Sequence, residues 1–319
     1  MTMRRWATWL LVGGLAALSA VAVADALRGE PTTRKADSPT ISVALIPRNE
    51  PAASAISGVL YYSDPVECRI RGLRLPDLAE TSAPDAGSCS FSLSPDGETA
   101  LPGEAAWSPT GGVYARMTDG SIELGSPGSE RTLRFPGRAP AFKPDGTFTY
   151  VRDNDVVEWT TSCPPGARLF TLPADNATAF CRKVVARFQR DRPVVSLAWM
   201  SNTRMAVITK PSEWVLTIRE GRLRTSTLGF GRPLTDLRVS PRGSFVAVRA
   251  AGRGGLLVLR PDGLVAGLPP FTDPRSITWS PDERWTAVAT KNSVFLFRTD
   301  TGEARVRQLP IHGYDLAWR

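Results

Sequence analysis

The hexapeptide SLSPDG, residues 92–97, is the fullest copy of a short phrase that recurs along the chain. In each copy an apolar run ends in an aromatic residue or Val, Ser-Pro or Lys-Pro follows, and a turn leads into a β-rich run. The other copies are AWSPTGG (106–112), AFKPDG (141–146), LAWMSN (197–202), RVSPRG (238–243), TWSPDE (278–283) and a last LAW (316–318). Repetition at a period of roughly 40 residues is typical of propellers and other repeat arrays.

One residue in each phrase, the aromatic residue or Val before the turn, marks the repeat. These markers are Trp107, Phe142, Trp199, Val239, Trp279 and Trp318. Most steps between them are about 40 residues, and the one long step, between Phe142 and Trp199, contains two cysteines. Because the markers recur once per unit, we predict that they form the repeat core and pack between adjacent blades.

Each unit reads as a small antiparallel meander. Downstream of the phrase the residues alternate as in half-buried strands, for example FVAV (245–248) followed by LLVL (256–259). Asp-Gly, Arg-Gly and Gly-Gly supply the intervening turns, since Gly tolerates positive φ. The sequence therefore predicts an all-β propeller.

The two ends of the array complement each other. The chain stops after LAW (316–318), a first strand with no successor, whereas GVLYY (58–62) and CRI (68–70) look like second and third strands without a first. We predict that residues 314–318 pair with the N-terminal strands and close the ring, which removes open sheet edges. The count is six blades, with seven as the alternative because two phrases, at Leu93 and Trp107, are close together.

The phrase resembles the TolB-type, WD-repeat-like propeller repeat. Residues 94–97 match it fully, residues 143–146 keep Pro-Asp-Gly, and residues 280–282 lack the Gly. The resemblance covers most of residues 57–319 and implies a six-bladed platform in a membrane-anchored bacterial protein. It implies no particular ligand, since such propellers are defined by their scaffold.

The N-terminus predicts export. Residues 6–24 carry no charge and, as a helix of about 28 Å, match a hydrocarbon core of about 30 Å. Arg4 and Arg5 place the following domain outside the cytoplasm. We predict a transmembrane anchor at 1–27, an extended Pro/Thr/Ser linker at 28–56 and the propeller at 57–319. The alternative is a signal peptide cleaved near Ala24, which would leave a secreted protein.

Four cysteines agree with an oxidising compartment. Three pairings are open in principle. We favour the local pairs, Cys68 with Cys89 and Cys163 with Cys181, because each pair brackets a loop-rich insertion.

No catalytic motif accompanies the repeat. The chain has one histidine, His312, no C-x-x-C spacing and no G-x-S-x-G elbow. Asp153, Asp155 and Glu158 are close enough for an acid/base pair or a cation site, but Asp153-Asn154-Asp155 is more typical of a hairpin turn. We therefore expect no catalytic residue, no metal and no cofactor, and a protein that is not an enzyme.

Charge gives a weaker indication of partners. Residues 182–260 contain sixteen Lys or Arg and four Asp or Glu, a net charge of +12. Such a segment is typical of solvated turns and edges, and it lacks the aromatic interleaving of a nucleic-acid site.

The leading hypothesis is a monomeric, non-enzymatic scaffold that binds a protein or an envelope component, anchored in the cell membrane through residues 6–24. Two alternatives stay open: a small-molecule or carbohydrate enzyme with its site at the mouth of the central channel, and a reader of anionic envelope polymers.

Overall fold

The described part of the chain is built of strands and turns. The computed structural model describes residues 56–168, 170–172, 175–210, 214–220, 223–230, 233–250, 255–260, 265–267, 273–299 and 306–319. These ranges contain no helix, so none of them holds a helix that could cross a bilayer. The predicted anchor at 1–27 and nearly all of the predicted linker at 28–56 lie outside the described residues.

The strands of the first half of the described chain are short, and one long strand, β14, follows the Cys163 loop. They are β1 (Gly58–Ser63), β2 (Ile70–Leu75), β3 (Ala79–Thr81), β4 (Phe91–Leu93), β5 (Ala100–Pro102), β6 (Ala105–Trp107), β7 (Tyr114–Thr118), β8 (Ser121–Gly125), β9 (Thr132–Pro136), β10 (Arg138–Phe142), β11 (Phe148–Arg152), β12 (Asp155–Thr160), β13 (Phe170–Leu172) and β14 (Asp175–Arg187).

The second half continues in regular groups of four. Its strands are β15 (Val194–Trp199), β16 (Arg204–Thr209), β17 (Trp214–Glu220), β18 (Leu223–Phe230), β19 (Leu234–Val239), β20 (Val246–Ala250), β21 (Leu256–Leu259), β22 (Val265–Gly267), β23 (Pro274–Trp279), β24 (Trp285–Thr290), β25 (Val294–Arg298), β26 (Val306–Leu309) and β27 (Leu316–Trp318).

These strands form successive antiparallel sheets, most of them meanders as predicted, whereas in the five-stranded sheet β14 lies between β12 and β13. The orders are β27-β1-β2-β3, β4-β5, β6-β7-β8-β9, β10-β11-β12-β14-β13, β15-β16-β17-β18, β19-β20-β21-β22 and β23-β24-β25-β26. The β4-β5 pair is the exception, because it is a sheet of two strands only. It holds the first of the two closely spaced phrases, where the sequence left the blade count open.

The last strand closes the array, as predicted. β27 pairs antiparallel with β1, with Leu60 opposite Trp318 and Tyr62 opposite Leu316. Trp318 is only 1% exposed and packs in one apolar cluster with residues of β1 and of β24 to β26. The first and last sheets are therefore joined by both backbone hydrogen bonds and core packing.

The core lies between neighbouring sheets. One cluster joins β16 and β17 to β20 and β21, and another joins β20 and β21 to β23 and β24. Trp279 belongs to the second of these clusters and is 3% exposed. Each sheet thus buries both faces, which explains the near-continuous apolar runs in its middle strands.

The recurring phrase is a turn closed by its own serine. The serine hydroxyl accepts a hydrogen bond from the amide five residues later, at 2.9 to 3.1 Å in the copies at Ser94, Ser108, Ser240 and Ser280. Lys143 replaces this serine in the copy at 141–146, and its ammonium group instead forms an ion pair with Glu158 at 2.5 Å. The repeated Ser-Pro is thus explained by a local hydrogen bond, independently of any ligand.

The turn also explains the glycine of the phrase. The amide at the fourth position bonds back to the serine carbonyl, and that residue has positive φ, 80° at Gly97 and 76° at Gly243. A Cβ on Gly243 would lie 1.8 Å from the carbonyl oxygen of Met200, so this turn packs directly on the preceding sheet. The copy without glycine places Glu283 at φ 63°, a conformation that costs an L-residue free energy.

The cysteine pairing follows the local prediction. Cys68 and Cys89 have Cα atoms 4.1 Å apart, and Cys163 and Cys181 have Cα atoms 5.7 Å apart, each pair bonded as a disulfide. The second disulfide ties the loop after β12 to β14, the insertion that lengthens the repeat step between Phe142 and Trp199.

Candidate functional site

A cavity of about 500 Å³ lies where the first strands of four consecutive sheets face one another. Its wall is formed mainly by β6, β10, β15 and β19, with parts of β4 and β7. We call it the central cavity. Its volume is within the range of about 300 to 1,000 Å³ that is usual for small-molecule sites.

Marker residues of the repeat form the aromatic part of the wall. Trp107, Phe142, Trp199 and Val239 are only half-buried and line the central cavity, whereas Trp279 and Trp318 are buried between sheets. The predicted repeat core therefore falls into two groups of residues with different surroundings. The first group belongs to the four consecutive sheets that border the cavity.

The two indoles of the wall are held in place by their N–H groups. Trp107 Nε1 donates to Ser92 Oγ at 2.9 Å, and Trp199 Nε1 donates to Thr149 Oγ1 at 2.8 Å. The Lys143 ammonium lies 4.7 Å from the centroid of the Trp199 ring. The indole N–H groups are thus satisfied within the protein, and both half-buried residues contribute apolar surface to the cavity wall.

Charged side chains from opposite walls approach each other across the central cavity. Arg238 Nε donates to Asp236 Oδ1 at 2.7 Å, and an Arg238 terminal nitrogen lies 3.9 Å from Glu104 Oε1. Glu104 immediately precedes β6, whereas Arg238 lies in β19. The sheets of β10 and β15 stand between those two strands along the ring, so this contact crosses the cavity.

A bulge in β19 aims Asp236 at the arginine. The pairing of β19 with β20 shifts register between Thr235 and Arg238, and Asp236 has φ 56°. The same kind of shift occurs in β10 next to Ala139, whose φ is 48°. Bulges re-aim side chains, and Asp tolerates the left-handed conformation better than most residues.

The three charged groups differ in exposure. The exposed fraction of the side chain is 6% for Asp236, 34% for Arg238 and 80% for Glu104. The negative charge of Asp236 raises the pKa of Arg238 more than burial lowers it, and Asp315 and Glu104 contribute in the same direction. The surrounding carboxylates therefore stabilise the charged form of Arg238.

A second cluster of charged side chains lies next to the wall of the central cavity, at β7 to β9. Arg116 and Arg134 both bind the buried carboxylate of Glu123, each at 2.7 Å. Burial raises the pKa of Glu123, but the hydrogen bonds from Arg134 and Arg116 lower it by a larger amount. The pKa of Glu123 is therefore below the ordinary value of a glutamate. Glu123 thereby compensates the charge of Arg116, which also lines the central cavity.

The carboxylates singled out from the sequence lie elsewhere. Asp153 and Asn154 form the tight turn between β11 and β12, with φ of 47° and 71°, so the hairpin interpretation is confirmed. The buried side chain of Asn154 accepts from the amide of Val194 and from Arg138, and thereby fixes β15 beside this hairpin. Glu158 binds Lys143 and Lys183.

Sequence reasoning missed Glu104, Asp236 and Arg238. One signal was present: Asp236 is one of only four acidic residues in the basic segment 182–260, and it lies two residues before an arginine. Within the ranges that the structure describes, no group of three or more His, Cys, Asp or Glu is placed to hold a metal ion.

Comparison with known proteins identifies the fold. No family model and no curated protein matches the chain. Similar solved structures include apo AztD from Citrobacter koseri (11% identity, TM-score 0.55, 83% of this chain and 98% of that one) and a "putative 6-phosphogluconolactonase" from Bacteroides uniformis (12%, 0.54, 82% and 99%). The β-propeller domain of Cps50 (Swd1) from Myceliophteria thermophila is 14% identical over 80% of this chain and 85% of that domain, with a TM-score of 0.44.

The first two likenesses, at 11% and 12% identity with TM-scores of 0.55 and 0.54, concern the fold alone. Together with the ring of antiparallel sheets they define the chain as an all-β protein of the β-propeller class.

The comparisons also correct the leading functional expectation. Because the sequence contains no hydrolase motif, we expected a non-enzymatic scaffold. Similar structures include a protein named as a "putative 6-phosphogluconolactonase", so a propeller fold is not by itself a sign of a scaffold. The expectation was wrong because it considered only sequence motifs, whereas a ring brings side chains from distant strands into one cavity.

Proposed function

We propose that the central cavity binds a small, carbohydrate-like molecule. The observation that carries this proposal is the joining of half-buried aromatic rings, Trp107 and Trp199, with hydrogen-bonding and charged groups in a cavity of about 500 Å³. Aromatic faces pack against the apolar C–H faces of a sugar ring, and a few fixed polar groups orient its hydroxyls. Ser196 and Arg238 supply those groups on two different strands.

The substitution Trp107→Ala tests this proposal. We expect it to weaken binding of a sugar ligand by at least tenfold, because it removes one aromatic wall and frees Ser92. Titration of the protein with glucose, gluconate and glucose 6-phosphate, followed by tryptophan fluorescence and calorimetry, measures the effect.

Trp279→Ala is the matched control. Trp279 occupies the same position of the repeat but is buried away from the cavity. It should cost about 3 to 5 kcal/mol of stability and leave the affinity of the folded protein unchanged. Trp279→Phe replaces it if the alanine variant does not fold. Equal losses of affinity in both variants would contradict a site at the cavity.

A second candidate function is hydrolysis of a sugar lactone. The exposed Glu104 carboxylate lies 3.9 Å from the Arg238 guanidinium, so a base and a cation face the same space. Arg238 would polarise the lactone carbonyl while Glu104 removes a proton from the attacking water. The ring C–O bond then breaks, the leaving oxygen takes that proton from Glu104, and a hydroxy acid is released.

The hydrolysis is tested on the δ-lactones of gluconate and 6-phosphogluconate, the second chosen from the name of the Bacteroides protein. Acid release is followed at constant pH, with subtraction of the spontaneous rate. We expect turnover that falls at least 100-fold in Glu104→Gln and is unchanged in the exposed control Glu130→Gln. Equal rates in the wild type and Glu104→Gln would rule out this role.

We propose further that the propeller is TolB-type and exported. The recurrent Ser-Pro turn supports the TolB-type assignment, with the six larger sheets as blades and the β4-β5 pair as a reduced unit. Two disulfides are compatible with an extracytoplasmic location. The apolar segment 6–24 is the proposed anchor, with cleavage near Ala24 as the alternative, and the mass of the mature protein distinguishes the two.

A further inference from the structure

We propose that the central cavity selects an anionic ligand, whose carboxylate or phosphate group displaces Glu104 and binds Arg238. This inference rests on the proposed function, since it names the class of ligand for the same cavity. It depends on the difference between the two carboxylates that flank Arg238.

Asp236 is the permanent partner of the arginine. Its carboxylate is almost fully buried, it accepts a hydrogen bond from Nε at 2.7 Å, and the β19 bulge holds its backbone. This contact orients the guanidinium and leaves its terminal nitrogens toward Glu104. A guanidinium offers five N–H donors in a planar fork, so one bond through Nε leaves donors for a second anion.

Glu104 is the replaceable partner. It is 80% exposed, and its 3.9 Å contact with Arg238 is longer than a hydrogen bond. It follows Gly103, around which a Cβ would meet no atom within 4 Å, so the surroundings of this segment are open. Exposed ion pairs contribute little to stability, and Glu104 can therefore leave at small cost.

Other cations near the cavity are already engaged with protein groups. Arg116 and Lys143 bind the carboxylates of Glu123 and Glu158. Arg138 donates to the carbonyl of Val194 and to Asn154. Arg238 is the cation whose partner toward the cavity is exposed and loosely held.

Charge balance then favours an anion over a neutral sugar. An anionic group that takes the place of Glu104 provides a negative charge in direct contact with Arg238 and forms short, charge-assisted hydrogen bonds, while the exposed Glu104 side chain turns toward solvent. A neutral sugar leaves Glu104 where it is and gains no such contact. Carboxylate and phosphate both fit the guanidinium fork, so the structure favours the anionic class.

The experiment measures dissociation constants by calorimetry on the full chain. The probes are gluconate, glucose 6-phosphate and glucose, in the wild type, Arg238→Gln, Glu104→Gln and the control Glu130→Gln. We expect the anions to bind more tightly than glucose. Arg238→Gln should weaken anion binding about 10- to 100-fold and glucose binding by much less, because glucose loses a neutral hydrogen bond and not a charge pair, whereas Glu104→Gln should tighten anion binding about two- to fivefold.

The outcomes separate this inference from the proposed function. Tighter binding of gluconate alone, or of glucose 6-phosphate alone, supports the inference and identifies the anionic group. Equal affinity for all three probes, or anion binding that Glu104→Gln weakens, overturns it and leaves a sugar site in place. Absence of binding by every probe, with unchanged tryptophan fluorescence, overturns both. Since Glu104 is exposed, its variant is expected to fold, which keeps the test decisive if Arg238→Gln does not.

Discussion

Deletion of residues 315–319 is expected to abolish the cooperative folded state of the propeller. These residues contain β27, which pairs with β1 through Leu60 and Tyr62 and places Trp318 in the core between the first and last sheets. Loss of one buried tryptophan side chain costs about 3 to 5 kcal/mol, a large part of the roughly 5 to 15 kcal/mol that stabilises a typical domain. The deletion also uncovers the edge of β1 that β27 covers, and an open strand edge favours aggregation.

The deletion removes a further link that only the last residue provides. Arg319 Nε donates to the carbonyl of Ser94 at 2.9 Å, and one of its terminal nitrogens donates to the carbonyl of Leu93 at 2.7 Å. The C-terminus is therefore bonded to the two-stranded sheet as well as to β1. Arg319 is half-buried, and partial burial of its guanidinium lowers the pKa of this side chain.

Urea denaturation followed by circular dichroism and tryptophan fluorescence measures the effect. The deleted chain should show no sigmoidal transition, or one at a far lower urea concentration. Tyr314→Ala is the control, because Tyr314 lies just outside the deleted segment and is exposed. A deletion variant with the transition of the wild type would show that the ring is stable without its last strand.

Ring closure could be predicted from the sequence because its signals are local. LAW at 316–318 reads as the first strand of a unit and GVLYY at 58–62 as the second, so the two segments complement each other. The disulfides were predictable for a similar reason, since each joins cysteines about twenty residues apart. Short-range patterns determine the strands and turns of each unit, and periodicity then determines how the units follow one another.

The two-stranded sheet could not be predicted in the same way. The phrases that end at Leu93 and Trp107 are nearly identical in type, so pattern alone does not distinguish a complete unit from a reduced one. In the structure β4 pairs only with β5, and Arg319 binds the end of β4. This contact joins residues more than 200 positions apart, and no local sequence pattern predicts it.

The residues of the candidate site also come from distant parts of the sequence. Glu104 and Arg238 approach each other only because three neighbouring ring contacts carry β6, β10, β15 and β19 around the cavity. Asp236 faces the arginine because of a bulge, which depends on how β19 pairs with β20. Motif searches find catalytic groups that are adjacent in sequence, and they miss groups that the ring assembles.

Substitution of Asp315 is expected to be the most destabilising single change of a polar residue near the ring closure. Asp315 is buried just before β27 and accepts hydrogen bonds from Ser276 Oγ at 2.7 Å and from the amide of Phe91 at 3.2 Å. Its own amide donates to Ser63 Oγ at 3.0 Å. One carboxylate thus joins the sheet of β23, the two-stranded sheet and the closing sheet.

Asp315→Leu should lower the free energy of unfolding by about 3 to 5 kcal/mol, because it leaves several buried donors without an acceptor. Asp315→Asn keeps the shape and one acceptor oxygen, so its loss should be smaller. Asp85→Asn is the control, since Asp85 is exposed and caps only the amide of Gly87. Thermal and urea unfolding of the variants measure these differences.

A double-mutant cycle distinguishes a bond between sheets from a general effect of burial. If the Ser276 bond carries much of the effect, Ser276→Ala should cost far less in the Asp315→Leu background than in the wild type, with a coupling of about 0.5 to 3 kcal/mol. Ser240→Ala is the matched serine control, because its hydroxyl accepts from the amide of Phe245 within its own turn and should show no coupling to Asp315. Additive losses for Asp315 and Ser276 would mean that the hydrogen bond between them does not contribute to joining the sheet of β23 to the closing strand.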